Sequence, residues 1–427
     1  MKSVYAALLA AASCAANVQA QSARPVALGE AGDTLTLDAA LAQADVNSPA
    51  NDVATLGVEV AEAGRAVAAL RPNPTVSADV ENVVGTGPYR GIDEAETTIV
   101  FALPFELGGK RGARVALADA HTARARIDAV IARADLRLQV TKAYIETAVA
   151  ERRLAVAQDQ FGVTVENLRI ARDRVTVGAN SPIDEERASL LAANAAAALE
   201  NARYDVAASR FALTQLIGTD LRGSLDQAWF DAVDTGRAGP VVPANADGTL
   251  ALSAAGADIT AAEAQLRLAR SQRIPDLTVS AGTRRLHASG DMAMVFGVSV
   301  PLPVFNNGRA ALDQAGALRR QSEARRRLAR FEAERAIIAA RADRDRAAAS
   351  VRAHRPALAA AQEAVRIARI GYGEGKFDQL VLLEAEQALL DTRTAGIDAR
   401  AQYHDAQARL TRLTAAVPTP PVTGNAP

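Results

Sequence analysis

The stretch "TTIVFALPFELGGKRGARVALADAHTARARIDAVIARADL", residues 97–136, changes period halfway along. Up to Phe105 apolar side chains alternate: Ile99, Phe101, Leu103 and Phe105 stand opposite Thr98, Val100 and Ala102. Successive side chains of a strand point to opposite faces, so this part predicts a short two-faced strand. After Gly109 the chain runs to Pro182 without a proline and is dense in Ala, Arg, Leu and Glu, which predicts helix. At about 1.5 Å per residue, a helix from Gly109 to Val177 is on the order of 100 Å long. The Gly108-Gly109 pair is the joint between the two.

The same plan returns about 200 residues later. "NPTVSADV" (73–80) recurs as "PDLTVSAG" (275–282), and "FALPFELGGKRGA" (101–113) as "VSVPLPVFNNGRAA" (298–311). "VGANSPIDEERASL" (177–190) recurs as "GEGKFDQLVLLEAEQAL" (373–389). Three matches in one order indicate internal duplication. Each copy reads helix, strand, strand, long helix, glycine turn, helix. The strands fall at 75–84, 97–106, 277–287 and 291–302. In the last, Met292, Met294, Phe296 and Val298 share one face with Val300 and Leu302. About ten residues is what a tilted strand needs to cross a bilayer, which makes Ile99, Phe101, Leu103, Met292, Met294, Phe296 and Val298 candidates to face lipid. The competing reading is an amphipathic sheet packed on helices in a soluble protein.

The helices favour the membrane reading. Leu154, Phe161, Leu168 and Val175 recur at sevens with Val165 between, and Leu358, Val365 and Tyr372 do so in the second copy, as in a coiled-coil seam. Pro356 should kink or restart the second long helix. Gly178 and Gly375 end the long helices; Ser181 with Pro182, and Asp378, can cap the returning ones. The returning helices, 182–217 and 377–415, are half as long, and helices 36–70 and 247–272 hold the missing length. Stacked short helices beside long ones suit the staves of a cylinder. Four strands cannot close a barrel, and open edges are not tolerated in lipid, so several chains must share one. Two chains would make eight strands, whose interior is filled by side chains, and three would make twelve, with room for a channel.

Of 427 residues, 49% are apolar but only 4% aromatic, a composition that builds thin helix seams rather than a thick core. The 48 basic and 49 acidic residues nearly cancel and form no basic block, which leaves no footprint for nucleic acid. The start, "MKSVYAALLAAASCAANVQA", has Lys2, an apolar run and a Val18-Gln19-Ala20 cleavage pattern, so 1–20 reads as a signal peptide. Acylation at Cys14 is a weaker alternative, because Ala11 departs from a lipoprotein box. The domains are then a first repeat, 21–217, an irregular Gly/Asp/Pro-rich link, 218–246, a second repeat, 247–415, and a flexible tail, 416–427. Trp229 in the link reads as a packing residue. The histidines, His121, His287, His354 and His404, lack paired metal-ligand spacing. No catalytic set stands out, so neither an enzyme nor a cofactor is expected.

The duplicated plan, the "LPFELGGKRGARVALADA" junction and the two glycine turns resemble the TolC-type outer membrane factors over about 35–415. The junction is most similar to the outer membrane subunits of cobalt–zinc–cadmium type resistance–nodulation–division (RND) systems. The resemblance implies an α+β membrane protein and a homotrimer, with a twelve-stranded barrel in the outer membrane and a helical barrel across the periplasm. It implies docking on a periplasmic adaptor bound to an inner-membrane RND pump, and passive export of divalent heavy metals. Multidrug efflux and type I protein secretion remain alternative roles, as does a soluble coiled-coil scaffold. Gly108, Gly109 and Gly308 match strand-to-helix junctions, and Gly178, Ser181 and Gly375 match adaptor-docking tips. Asp184, Tyr372 and Glu384 match tunnel-mouth positions. Two positions depart from the family: Val381 stands where an acidic residue is expected, and Phe377 where a basic one links the closed state.

Overall fold

The computed structural model describes residues 34–221, 223–234, 236 and 244–418; the stretch read as a signal peptide, with Cys14, and the end of the tail lie outside the described residues. The first strand pair is β1 (Thr75–Glu81) and β2 (Glu96–Phe105), and the second is β3 (Leu277–Leu286) and β4 (Met292–Ser299). They form one antiparallel sheet in the order β1-β2-β3-β4. The strand read over 75–84 stops at Glu81, because Asn82 turns to a φ of 60°. The strand read over 291–302 ends at Ser299, just before the Pro301 and Pro303 that cannot donate to a ladder. Pro104 is tolerated inside β2 because the β1 ladder begins at Thr75↔Ala102; Pro104 therefore pairs only with Thr278 of β3.

Two helices run the length of the molecule, α3 (Lys110–Thr176, 67 residues) and α7 (Arg309–Gly373, 65 residues). The short ones are α1 (Leu37–Asn47), α2 (Pro49–Ala68), α4 (Pro182–Ile217), α6 (Leu250–Ser271) and α8 (Gln379–Thr414). The helix read as continuous over 36–70 is two: Ser48 caps α2 by accepting from the Ala50 N–H at 3.4 Å, with Pro49 in the first turn. Near the sheet the packing order is α2-α3-α6-α7, and at the far end it is α4-α3-α8-α7. The helices α1, α2 and α4 hold 11, 20 and 36 residues, together as many as α3 alone.

Pro356 neither ends nor restarts α7, which continues through it. It lies on the exposed side, while Val365, Ala368 and Tyr372 of the same helix are buried. Packing along that seam outweighs the local cost of the missing hydrogen bond, about 3 kcal/mol. The seam on α3 also differs from the reading at sevens. Its other half is small: Ala150, Thr164 and Ala171 are buried at alternate three- and four-residue steps from Leu154, Phe161, Leu168 and Val175. Val165 is 44% exposed. Small knobs let the helices approach closely, which explains why so much alanine makes a core.

The thickest core is at mid-length. Val140, Tyr144, Leu213, Ile217, Leu225 and Phe230 bury together there. Part of the link expected to be irregular is a short helix, α5 (Gln227–Asp231), because the Asp226 carboxylate accepts from the Ala228 and Trp229 N–H groups. Trp229 packs edge-on against Tyr144, 5.2 Å between centroids, and stacks on His404 at 4.3 Å. The Tyr144 hydroxyl donates to the Leu35 carbonyl at 2.7 Å and accepts from the Asp226 N–H at 3.1 Å. It thereby ties the segments that pair at Leu35↔Leu225.

Candidate functional site

The functional candidates fall at three levels: the hairpin tips, the joints below the sheet, and the sheet itself. The two tips have the same construction. Gly178 and Gly375 both take φ of 74°, a conformation open to glycine without a Cβ penalty. At the first tip the Ala179 N–H reaches the Arg174 carbonyl (2.8 Å) and the Gly178 N–H the Val175 carbonyl (3.0 Å). At the second, Lys376 reaches Gly371 (2.7 Å) and Gly375 reaches Tyr372 (3.1 Å). Both are Schellman closures of a helix C-terminus. Three residues beyond each glycine a polar residue starts the return helix. Ser181 and Asp184 form a capping box, with the Asp184 carboxylate accepting from the Ser181 N–H and the Asn180 amide, each at 3.2 Å. Asp378 accepts from the Val381 N–H at 3.1 Å.

The structure brings the tips together through a residue the sequence did not single out. Arg174 of α3 donates to the carbonyl of Tyr372 on α7 at 2.9 Å, and its guanidinium lies 4.2 Å from the centre of that ring. Tyr372 is buried with Ala368 and Leu382. Gly371 beside it was also missed: a Cβ there would run into the Phe377 ring. Glu384 is exposed and stands apart from this contact. Two residues on, Glu386 is buried. Its carboxylate accepts from Asn167 Nδ2 of α3 at 2.7 Å and from Arg369 of α7 at 3.1 Å. Burying a carboxylate on a seam is costly unless its oxygens are satisfied, and here the partners come from two other helices. The signal was present in the four-residue step from Leu382, which puts Glu386 on the buried stripe.

At the joints, Gly108, Gly109 and Gly308 have φ of 70°, 72° and 73°. A Cβ on Gly108 would lie 2.8 Å from Ile274 Cδ1, and one on Gly308 would lie 2.7 Å from Arg273 Cγ. The chain entering β3 therefore fits against the start of both long helices. The Asp276 carboxylate accepts from Lys110 Nζ at 2.7 Å and from the Leu107 N–H at 3.1 Å. Arg114 pairs with Glu106 and donates to the Leu70 carbonyl at 3.0 Å, while Arg111 donates to the Ala69 carbonyl at 2.6 Å. These cations sit on the C-terminal end of α2, where the helix dipole favours them. The hydrogen bond from Arg114 holds the Glu106 carboxyl below the usual range. Burial pushes Asp276 up, but Lys110 and the Leu107 N–H outweigh it and leave the group lowered.

In the sheet, register aligns the apolar side chains across all four strands. One rung is Val76, Phe101, Ala281 and Phe296; the next is Ala78, Ile99, Thr283 and Met294; Leu103, Val279 and Val298 make a third. On this face Met292, Met294, Phe296 and Val298 are 64–75% exposed in the single chain, Ile99 and Phe101 about half so, and Leu103 is half-buried. The opposite face carries Thr75, Ser77, Asp79 and Glu81 from β1 and Arg284 from β3.

Comparison with known proteins places this architecture. The chain is 28% identical over 397 residues to the cobalt-zinc-cadmium resistance protein CzcC of Cupriavidus metallidurans, covering 91% of this chain and 92% of that protein. It is 31% identical to the nickel and cobalt resistance protein CnrC of the same organism over 297 residues, 68% of this chain and 69% of that one. The crystal structure of the outer membrane protein VceC from Vibrio cholerae superimposes with a TM-score of 0.71 at 21% identity, over 89% of this chain and 96% of that one, which shows the shared fold. The family model for outer membrane efflux proteins matches residues 40–219 and 247–416, and the chain belongs to that family.

Proposed function

We propose that this protein is the exit duct of a tripartite efflux pump. Three copies share a twelve-stranded barrel in the outer membrane, continue as a helical barrel, and pass divalent heavy-metal cations outward without transforming them. The observation that carries this reading is the sheet. Its apolar face is exposed along every strand, and β1 and β4 each have a neighbour on one side only. In lipid such edges must be paired, and pairing β1 of one copy with β4 of the next does so.

The helices support the same closure. The edge helices carry exposed apolar stripes at heptad spacing: Val53, Val60 and Val67 with Leu56 on α2, and Ile183, Leu190, Tyr204 and Phe211 on α4. At the other edge α7 exposes Leu328, Phe331 and Ile338, and lower down Ile367 and Ile370. One edge meeting the other head-to-tail is a heterologous contact that closes into a ring. Gly178, Ser181 and Gly375 would meet a periplasmic adaptor that binds an inner-membrane RND pump. Asp184, Tyr372 and Glu384 would border the tunnel mouth. The metal assignment comes from the resistance named for CzcC and CnrC.

Deletion and complementation test it. Restoring the chain should restore resistance to cobalt, zinc, cadmium or nickel and lower cellular metal. Unchanged metal tolerance with altered dye or polypeptide export would replace the substrate class. A mature chain released from membranes by carbonate would end the channel reading.

A further inference from the structure

Resting on the channel reading above, we propose that Arg284 sets the charge selectivity of the outer mouth of the duct. The face of the sheet away from lipid is divided by chemistry. Toward the helices it is neutral: Ser77, Val100, Gly282 and Val295 share one rung, and Thr75, Ala102, Ser280 and Gly297 the next. All its charges collect on the two rungs next to the distal turns. Asp79, Thr98 and Arg284 share one rung; Glu81 and Glu96 share the next. These rungs are at the end opposite to α3 and α7, so they border the exit.

Arg284 is the one long cationic side chain on that face of the described strands. It reaches across three strands: to Glu96 at 2.8 Å, to Glu81 at 3.3 Å and to Thr98 Oγ1 at 3.0 Å. Asn82 adds a contact to the free oxygen of Glu96 at 3.4 Å. Asp79, on the same rung, is exposed and makes no ion pair among the described residues. On this face three carboxylates against one guanidinium leave two negative charges per chain, Arg285 standing on the opposite face. A ring of like charge in a narrow low-dielectric wall attracts counter-ions and sets selectivity. Arg284 neutralises part of that ring and holds two of its carboxylates against the wall. The mouth is therefore cation-preferring, with the degree of preference limited by this arginine.

The test is the reversal potential of the purified full-length protein in planar bilayers under a potassium chloride gradient. Wild type should favour potassium over chloride. R284Q should raise that permeability ratio about twofold or more, and D79N should lower it. Wild-type reversal potentials from both variants, with conducting channels, would overturn the assignment of selectivity to this rung. No stepwise conductance from wild type would instead sink the channel reading. If R284Q fails to assemble, D79N decides alone, since Asp79 lies outside the ion pairs of Arg284 with Glu81 and Glu96.

Discussion

Arg174 and Tyr372 belong to different repeats, 198 positions apart, yet one guanidinium caps the last turn of α7 and covers the tyrosine ring. The carbonyl of Arg174 meanwhile accepts the Ala179 N–H and closes the first tip. One residue thus couples both hairpin ends. The cation at this cross-hairpin contact comes from α3, while Phe377 of the second tip folds over Gly371. R174A should loosen the tips without unfolding the long helices, losing about 1–2 kcal/mol of local contact. The check is single-channel conductance and cell permeability to large antibiotics, both of which should rise. R174K, which keeps the charge but loses the planar stack, should fall between. Unchanged permeability in R174A would remove this residue from the gate.

Replacing Gly178 or Gly375 with valine forces a β-branched residue into left-handed backbone, at a cost of about 1–2 kcal/mol or more. Nothing crowds a Cβ at either position, so the strain is conformational and confined to the tip. Export should drop while the oligomer survives, read as metal tolerance beside a heat-resistant trimer on a gel. Normal tolerance in both variants would argue against docking through these turns.

At Gly371 the obstacle is steric rather than conformational, because Phe377 folds back over it. G371A should therefore disturb the second tip by about 1–3 kcal/mol of overpacking. Adding F377A should relieve the disturbance, and a double-mutant cycle on thermal melting should show positive coupling. Simple additivity would mean that the ring does not rest on Gly371.

The joints should respond to acid. Glu106 and Asp276 have folded pKa values below their ordinary ones, so the stability they confer is present above the unfolded carboxylate pKa, about 4. It is lost as pH falls through the lowered folded values. The melting temperature of E106Q should lie below that of wild type from neutrality down to about pH 4.5, and the gap should close at more acid pH. A gap that widens with acid would contradict the sign.

Charge on the edge stripes should block assembly. Y204E or F211E, both at exposed positions of α4, should leave the secondary structure intact and abolish the trimer by sedimentation. A trimer surviving both substitutions, each made singly, would move the subunit boundary elsewhere.

By itself the sequence determined what depends on neighbours in the chain. The alternation up to Phe105 and the proline-free run after Gly109 carry β2 and α3, because periods of 2 and 3.6 are local properties. The joint at Gly108 and the turns at Gly178 and Gly375 were legible for the same reason, and each of these glycines takes the left-handed backbone that few other residues adopt without strain. Ser48, by contrast, was overlooked as a break, although a Ser-Pro pair is a helix start. Only the tertiary structure decided what depends on residues far apart in the chain. The strand register sets Arg284 between Glu81 and Glu96, and helix packing joins Arg174 to Tyr372 and seats Glu386 between Asn167 and Arg369. The same packing carries α7 through Pro356. Those outcomes are choices among many pairings with similar local cost, and they are settled by which buried polar groups and apolar faces can be satisfied together.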